Sequence, residues 1–216
     1  MPSKKPKDVL VCIDRDGTLI YDDKYYLGRS NDWKNKIEFL RGVVSGIRRL
    51  KKEIPNVKIY MITNQKGVAI KDYKLLDYQR AREVCEEILE RLRKKGAKID
   101  GYILCPHADK NYKKKHPDKN LKSELVCNCS CIKPNTGMID RALENCGLKK
   151  SKTDIYVVGD RESDVKAGLN SGGYGILVPF ENEPREKEKV RSLRSKKSAV
   201  VNGFGDASRI IVKKEN

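Results

Sequence analysis

The stretch Val9-Leu10-Val11-Cys12-Ile13-Asp14-Arg15-Asp16-Gly17-Thr18-Leu19 decides how this chain is read. Its first five residues are four aliphatics and a cysteine, the composition of a short buried strand. Two carboxylates one residue apart follow at once, then a glycine and a threonine. Alternation along an extended chain sends Asp14 and Asp16 the same way, at the carboxyl edge of a sheet, where open α/β folds place their ligands. A divalent cation could hold both groups, with one carboxylate attacking phosphorus and the other handling protons. Alone, the segment reads as well as a strand ending in an Asp-Gly turn.

Three later segments tip that balance. Ile59-Tyr60-Met61-Ile62-Thr63-Asn64-Gln65 is another apolar run, ending in a hydroxyl. Lys133-Pro134 follows a cysteine cluster. Ile155-Tyr156-Val157-Val158-Gly159-Asp160-Arg161-Glu162-Ser163-Asp164 is an apolar strand ending in Gly-Asp, with a second Asp four residues on. In chain order these supply an acidic pair, a hydroxyl, a lysine and another acidic pair. Such a set can bind a metal and a phosphoryl group, offset developing charge and provide a nucleophile.

On these motifs the chain resembles the haloacid dehalogenase superfamily of phosphotransferases, from about Val9 to the last strand. DRDGTL from Asp14 to Leu19 matches its first motif, Thr63 the second, Lys133 the third and GDRESD from Gly159 to Asp164 the fourth. DRDGTLI, TNQ, Cys-x-His and Cys-x-Cys-x-Lys-Pro are similar to the branch holding D,D-heptose 1,7-bisphosphate phosphatase and the histidinol-phosphate phosphatases. The resemblance implies Mg²⁺ held by the carboxylates of Asp14 and Asp160 and by the backbone carbonyl of Asp16. It implies that Asp14 forms an aspartyl-phosphate, while Asp16 protonates the leaving oxygen and then activates water. Thr63, with Asn64 and Lys133, is expected to bind the phosphoryl group, and Lys133 also offsets charge on Asp14. Asp164 is expected to support the metal or Lys133 from behind.

A second constellation joins Cys105-Pro106-His107 to Cys127-Asn128-Cys129-Ser130-Cys131. Thiolate and imidazole donors at this spacing suit tetrahedral zinc in a structural site. Spare thiols, a redox pair or another metal are the alternatives. Residues 108–126 between the pairs are lysine-rich with little apolar content, so a staple is expected to order them. The resemblance matches Cys105, His107, Cys129 and Cys131 as ligands and leaves Cys127 as a competitor. Cys12, Cys85 and Cys146 read as core cysteines, and His116 as solvated.

Composition sets the outer limits. A length of 216 residues suits one domain, 1–216, with a full core. No apolar run approaches the roughly 20 residues of a membrane span, and the basic tail, 1–8, lacks the pattern of a signal peptide. A cytoplasmic monomer without membrane association is expected. Seven cysteines fit metal ligation in a reducing compartment better than a disulfide framework. The net charge of +17 raises nucleic acid as a partner, but the basic residues are dispersed among acids, which favours a solvated surface. A positive field also draws in small phosphorylated substrates.

Alternating strand and helix patterns predict an α/β, Rossmann-like parallel sheet covered by helices on both faces. No insertion is large enough for a cap domain. Residues 37–53 carry apolar residues at helical spacing, and 77–95 and 138–146 are further helices. The resemblance implies that residues 21–36, with Tyr25, Tyr26 and Trp33, are a hairpin-like flap, expected to shape the mouth of the site beside the zinc loop, 105–131. Residues 181–198 read as a charged excursion. The related phosphatases commonly carry arginine where this chain has Ile132 and, soon after TNQ, Ile70. Arginine is the natural fork for a second phosphate, so both departures weaken a bisphosphate assignment, with Lys66 or Lys71 as point-charge substitutes. The expected activity is Mg²⁺-dependent phosphomonoester hydrolysis on a small metabolite, a sugar phosphate or heptose bisphosphate, in carbohydrate metabolism. Histidinol phosphate and a nucleic-acid 3′- or 5′-phosphate are the alternatives.

Overall fold

The computed structural model describes residues 7–21, 26–181 and 185–216. Residues 1–6 of the basic tail, Tyr25 of the flap and 182–184 of the charged excursion lie outside the described residues. In chain order the elements are β1 (Asp8–Ile13), α1 (Val43–Glu53), β2 (Val57–Asn64), α2 (Tyr78–Lys94), β3 (Gly101–Cys105), α3 (Lys110–Lys115) and α4 (Gly137–Asn145). They continue with β4 (Thr153–Gly159), α5 (Glu162–Asn170), β5 (Tyr174–Leu177), α6 (Glu186–Ser192), β6 (Ser198–Val200) and α7 (Phe204–Glu215). All six strands pair in parallel in one sheet, ordered β3-β2-β1-β4-β5-β6. The chain winds outward from β1 in both directions, which leaves a crevice at the carboxyl ends of the central strands.

The period of two along β1 separates two cores. Val9, Val11 and Ile13 face one side, packed with Ile47 and Leu50 of α1, Val84 and Ile88 of α2, and Phe204 and Ile211 of α7. Leu10 and Cys12 face the other, against Met138, Ile139 and Ala142 of α4 and Ala167 of α5. The central strand is thus apolar on both faces, as its composition predicts, and Asp14 is the first residue past it.

Three expectations change. Only Val43–Glu53 of the 37–53 segment is helical. Residues before it run back along the loop after β1: Tyr21 N–H donates to Glu38 C=O at 2.9 Å and Leu40 N–H to Leu19 C=O at 3.1 Å. Gly42, at φ +86°, turns the chain into the helix. Phe39 and Leu40 sit at helical spacing but are half-buried beside strand-like pairing instead. In the flap, Trp33 is buried in the first core and does not reach the mouth of the site, whereas Tyr26 does. Rather than an excursion, residues 186–192 form α6, which docks on α5: Val190 packs on Val165, and Glu186, buried, accepts the Glu162 N–H at 2.5 Å.

Helices α1 and α7 approach closely because Gly46 has no side chain; a Cβ there would lie 2.7 Å from the Phe204 ring. Gly46→Val should therefore destabilise the protein by about 1–3 kcal/mol through overpacking, despite the better helix propensity of valine. Thermal or urea denaturation measures this, and unchanged stability would contradict the packing.

Candidate active site

Strand ends build the site. Asp14 follows β1, and its N–H donates to Val158 C=O at 2.8 Å, continuing the ladder. Thr63 and Asn64 end β2, and Asp160 follows β4. Lys133 enters from the segment before α4, through a cis bond to Pro134. Asp14, Asp16, Thr63, Asn64, Lys133 and Asp164 line one cavity of about 550 Å³. Asp160 lies beneath it, 2 % exposed, and its carboxylate approaches those of Asp14 and Asp164 to within 4.8 Å.

The electrostatics of this floor follow from burial. The Lys133 ammonium donates to Asp14 Oδ1, lies 2.5 Å from Asp164 Oδ1 and reaches Ile62 C=O at 3.4 Å. Burial works against its charge, but Asp14 and Asp164 outweigh that and hold its pKa above the ordinary ammonium range. Asp164 also accepts the Arg161 N–H at 3.1 Å, capping α5. One lysine does not balance three buried carboxylates. Burial, reinforced by the charges of Asp164 and Asp16, lifts Asp14 to about 7 despite Lys133. Burial and the neighbouring Asp14 and Asp164 lift Asp160 to about 9. Asp160 Oδ1 is buried without a hydrogen-bond partner. An orphaned carboxylate oxygen among hard oxygen donors fits a divalent cation such as Mg²⁺. Gly17, at φ +73°, is needed here, since a Cβ would run into the Asp160 carboxylate and the Phe180 ring.

Two residues of the site carry no predicted role. Arg15 is fully buried, and its guanidinium forks Asp16, donating to Oδ1 at 2.8 Å and Oδ2 at 2.9 Å. Gln65 accepts from Arg15 at 2.8 Å and donates to Asp16 Oδ2 at 2.9 Å and to Thr63 Oγ1 at 2.7 Å. The fork and the amide fix the Asp16 carboxyl and the Thr63 hydroxyl relative to each other. Both residues lie inside motifs, DRD and TNQ, whose local contacts they make. Asn64 Oδ1 accepts the Lys133 backbone N–H at 3.2 Å, which ties β2 to the lysine.

The second constellation also converges. His107 Nδ1 lies 3.6 Å from Cys105 Sγ and 3.2 Å from both Cys129 Sγ and Cys131 Sγ. All four are within 4.8 Å of one another, a donor set that could hold a metal ion. Cys127 falls outside this group, although its thiol adjoins Cys129. The loop between the pairs has more apolar anchorage than its composition suggests: Ala108 and Leu121 pack on Ala69 and Ile70, and Leu121 bridges Ile70. Ile70 is 1 % exposed and Ile132, in the second core, 7 %. Both positions lacking arginine are therefore used in packing. Lys66 lines the cavity and Lys71 does not, and His116, exposed, lines it too.

Comparison with known proteins agrees with this geometry. Residues 130–207 match the family model described as HAD-hydrolase-like. The chain is 30 % identical over 170 residues to the D-glycero-beta-D-manno-heptose-1,7-bisphosphate 7-phosphatase of Helicobacter pylori, covering 79 % of this chain and 82 % of that one. It is 33 % identical over 166 residues to the histidine biosynthesis bifunctional protein HisB of Buchnera aphidicola, 76 % of this chain but 39 % of that protein. The chain thus spans about two-fifths of the bifunctional relatives it matches. In fold it is similar to D,D-heptose 1,7-bisphosphate phosphatase from B. bronchiseptica, with TM-score 0.72 at 19 % identity, over 95 % of this chain and 99 % of that one. The chain belongs to the haloacid dehalogenase-like hydrolases. Among the described residues, no helix is long and apolar enough to cross a membrane.

A carboxyl whose pKa rises on folding binds more protons in the native than in the unfolded state, so its contribution to stability falls as pH rises through that window. With Asp14 at about 7 and Asp160 at about 9, against an ordinary 3.8, metal-free protein should lose thermal stability from pH 5 to pH 9. Asp160→Asn should flatten that fall, and Mg²⁺ at pH 8 should restore the melting temperature of the unmodified chain only. Scanning fluorimetry measures this. Stability rising across the window, or indifference to Mg²⁺, would contradict it.

Proposed function

We propose that the chain, as one catalytic domain over 1–216, is a Mg²⁺-dependent phosphomonoesterase acting on a small sugar phosphate through an aspartyl-phosphate. The observation that carries this reading is the set of three buried carboxylates around one buried lysine, with an orphaned oxygen on Asp160. The names of the relatives, which include phosphatases of a heptose bisphosphate, support the substrate class.

Asp14, Asp160 and the Asp16 carbonyl would hold Mg²⁺, with Asp164 behind them. The ion, when bound, neutralises charge on the phosphoryl oxygens and on Asp14. An Asp14 oxygen attacks phosphorus in line with the ester oxygen; the new P–O bond forms as the P–OR bond breaks. Asp16, oriented by Arg15 and Gln65, gives its proton to the departing oxygen. Water then attacks the phosphorus carried on Asp14, passing its proton to Asp16, and inorganic phosphate leaves with Asp14 restored. Lys133 and the Thr63 hydroxyl steady the phosphoryl oxygens throughout. All these groups come from one chain, as a monomeric enzyme requires.

Purified protein with Mg²⁺ should hydrolyse phosphate monoesters, and Asp14→Asn should lower turnover by about a thousandfold or more while still unfolding in a cooperative transition. Full activity in that variant would overturn the mechanism.

For the second cluster we propose structural zinc, held by Cys105, His107, Cys129 and Cys131 as a Cys₃His site. Thiolates persist in a reducing cytoplasm, where we place the protein. Elemental analysis of reduced protein should find about one Zn²⁺ per chain, and Cys105→Ser should lose it and make residues 108–126 protease-sensitive. Absence of any transition metal would count against the site.

A further inference from the structure

The cavity has a wall that the phosphoryl chemistry does not use. Tyr26, Tyr73, Tyr112 and His116, with Lys66 and Lys119, line it together with the catalytic groups. They come from three separate parts of the chain: the loop after β1, the turn after β2 and the loop between the two cysteine pairs. The Tyr26 and Tyr73 rings lie 5.0 Å apart at 53°. Tyr112 and the His116 imidazole lie 4.5 Å apart at 39°. The Tyr26 and Tyr112 hydroxyls are 3.1 Å from each other, joining the two ring pairs into one surface. The Lys66 ammonium sits 5.1 Å from the Tyr112 ring centre and 3.4 Å from the Asp109 carboxylate, so its charge is partly answered within the loop.

With the phosphoryl group on the floor, the remainder of the ester extends into the cavity that this wall helps to line. Ring faces do little for a second phosphate, which calls for charged donors. Ile70 and Ile132 are buried in packing, and Arg161 is the arginine that lines the cavity among the described residues. Flat aromatic faces flanked by cations suit a planar heterocycle, which stacks on tyrosine and histidine whatever its hydrogen-bonding edge. A cavity of about 550 Å³ falls within the range of sites for ligands of that size. Beyond the mouth, Lys110, Lys113, Lys114 and Lys115 of α3 are exposed and extend the positive surface away from the site.

We propose that the substrate is a nucleotide, a sugar phosphate whose sugar bears a base, with the phosphate at Asp14 and the base against the Tyr112–His116 side of the cavity. The proposal rests on the phosphatase reading and adds its substrate class. Either a free mononucleotide or the phosphorylated end of a strand would present this chemistry.

The test compares kcat/KM of the full chain with Mg²⁺ for ribose 5-phosphate, adenosine 5′- and 3′-monophosphate, histidinol phosphate, and single-stranded oligonucleotides phosphorylated at either end, at two salt concentrations. A nucleotide should exceed ribose 5-phosphate by about tenfold or more, the scale of one stacked base. Tyr112→Leu should collapse that ratio toward one, and Tyr112→Phe, which keeps the ring, should preserve it. Oligonucleotide turnover that falls steeply with salt would identify the strand end as the source; a free nucleotide preferred with a shallow salt response would identify the mononucleotide. Esters hydrolysed with a ratio near one, a ratio unmoved by Tyr112→Leu, or preference for histidinol phosphate would overturn the proposal and leave the phosphatase reading standing. Binding of adenosine monophosphate to Asp14→Asn protein, followed by calorimetry, tests the wall apart from turnover. Tyr112-dependent binding supports it, and affinity no greater than for ribose 5-phosphate overturns it.

Discussion

The buried Lys133 ammonium, lodged between Asp14 and Asp164, is the interaction on which the site depends. Removing charges from water is costly, and an ion pair in such a place persists only when its geometry and remaining hydrogen bonds are good. Here the sheet supplies that geometry: β1, β2 and β4 end side by side, and the segment before α4 delivers the lysine across them. The arrangement is unbalanced by design of its chemistry, with three carboxylates to one lysine. That imbalance raises the pKa of both Asp14 and Asp160, and a further cation would relieve it.

Around this floor, two kinds of support divide the work. Arg15 and Gln65 act locally, fixing Asp16 against Thr63 from a fully buried position. The loop between the cysteine pairs acts at longer range. Cys105 ends β3, so the cluster of sulfur and imidazole is anchored at the same sheet edge as the catalytic groups. The loop then leans back on Ala69 and Ile70 and presents Tyr112, His116 and Lys119 to the cavity. Ile70 therefore serves the wall by packing.

The sheet and the floor were legible in the sequence because each rests on a local pattern. Apolar runs ending in Asp, Thr or Gly-Asp mark strands and their carboxyl edges at once, and Asp14, Thr63, Lys133 and Asp160 meet as that pattern implies. Residues 37–41 were misjudged because apolar spacing records only that a side chain is buried; Phe39 and Leu40 satisfy it through pairing with 19–21. Trp33 lies in the segment that the resemblance matches to a flap, yet its ring is in the core, which a resemblance of segments does not convey. The Arg15 fork on Asp16 and the Gln65 bond to Thr63 are local to DRD and TNQ. The contacts of Gln65 with Arg15 and Asp16, which join the two motifs, lie about fifty residues apart along the chain, and no local pattern carries them. The tyrosine wall was hidden for the same reason, since its members are far apart in sequence and only the folding of the loop onto Ile70 brings them together.

The central claim is that Asp14, set against Lys133, takes the phosphoryl group onto its own carboxylate. The most direct measurement is rapid acid quenching during turnover with Mg²⁺ and a radiolabelled phosphate ester, followed by reductive trapping and peptide mapping by mass spectrometry. The account predicts label on the peptide holding Asp14, reduced at that residue, appearing before phosphate release. Turnover with no labelled protein, or label confined to another residue, would contradict it.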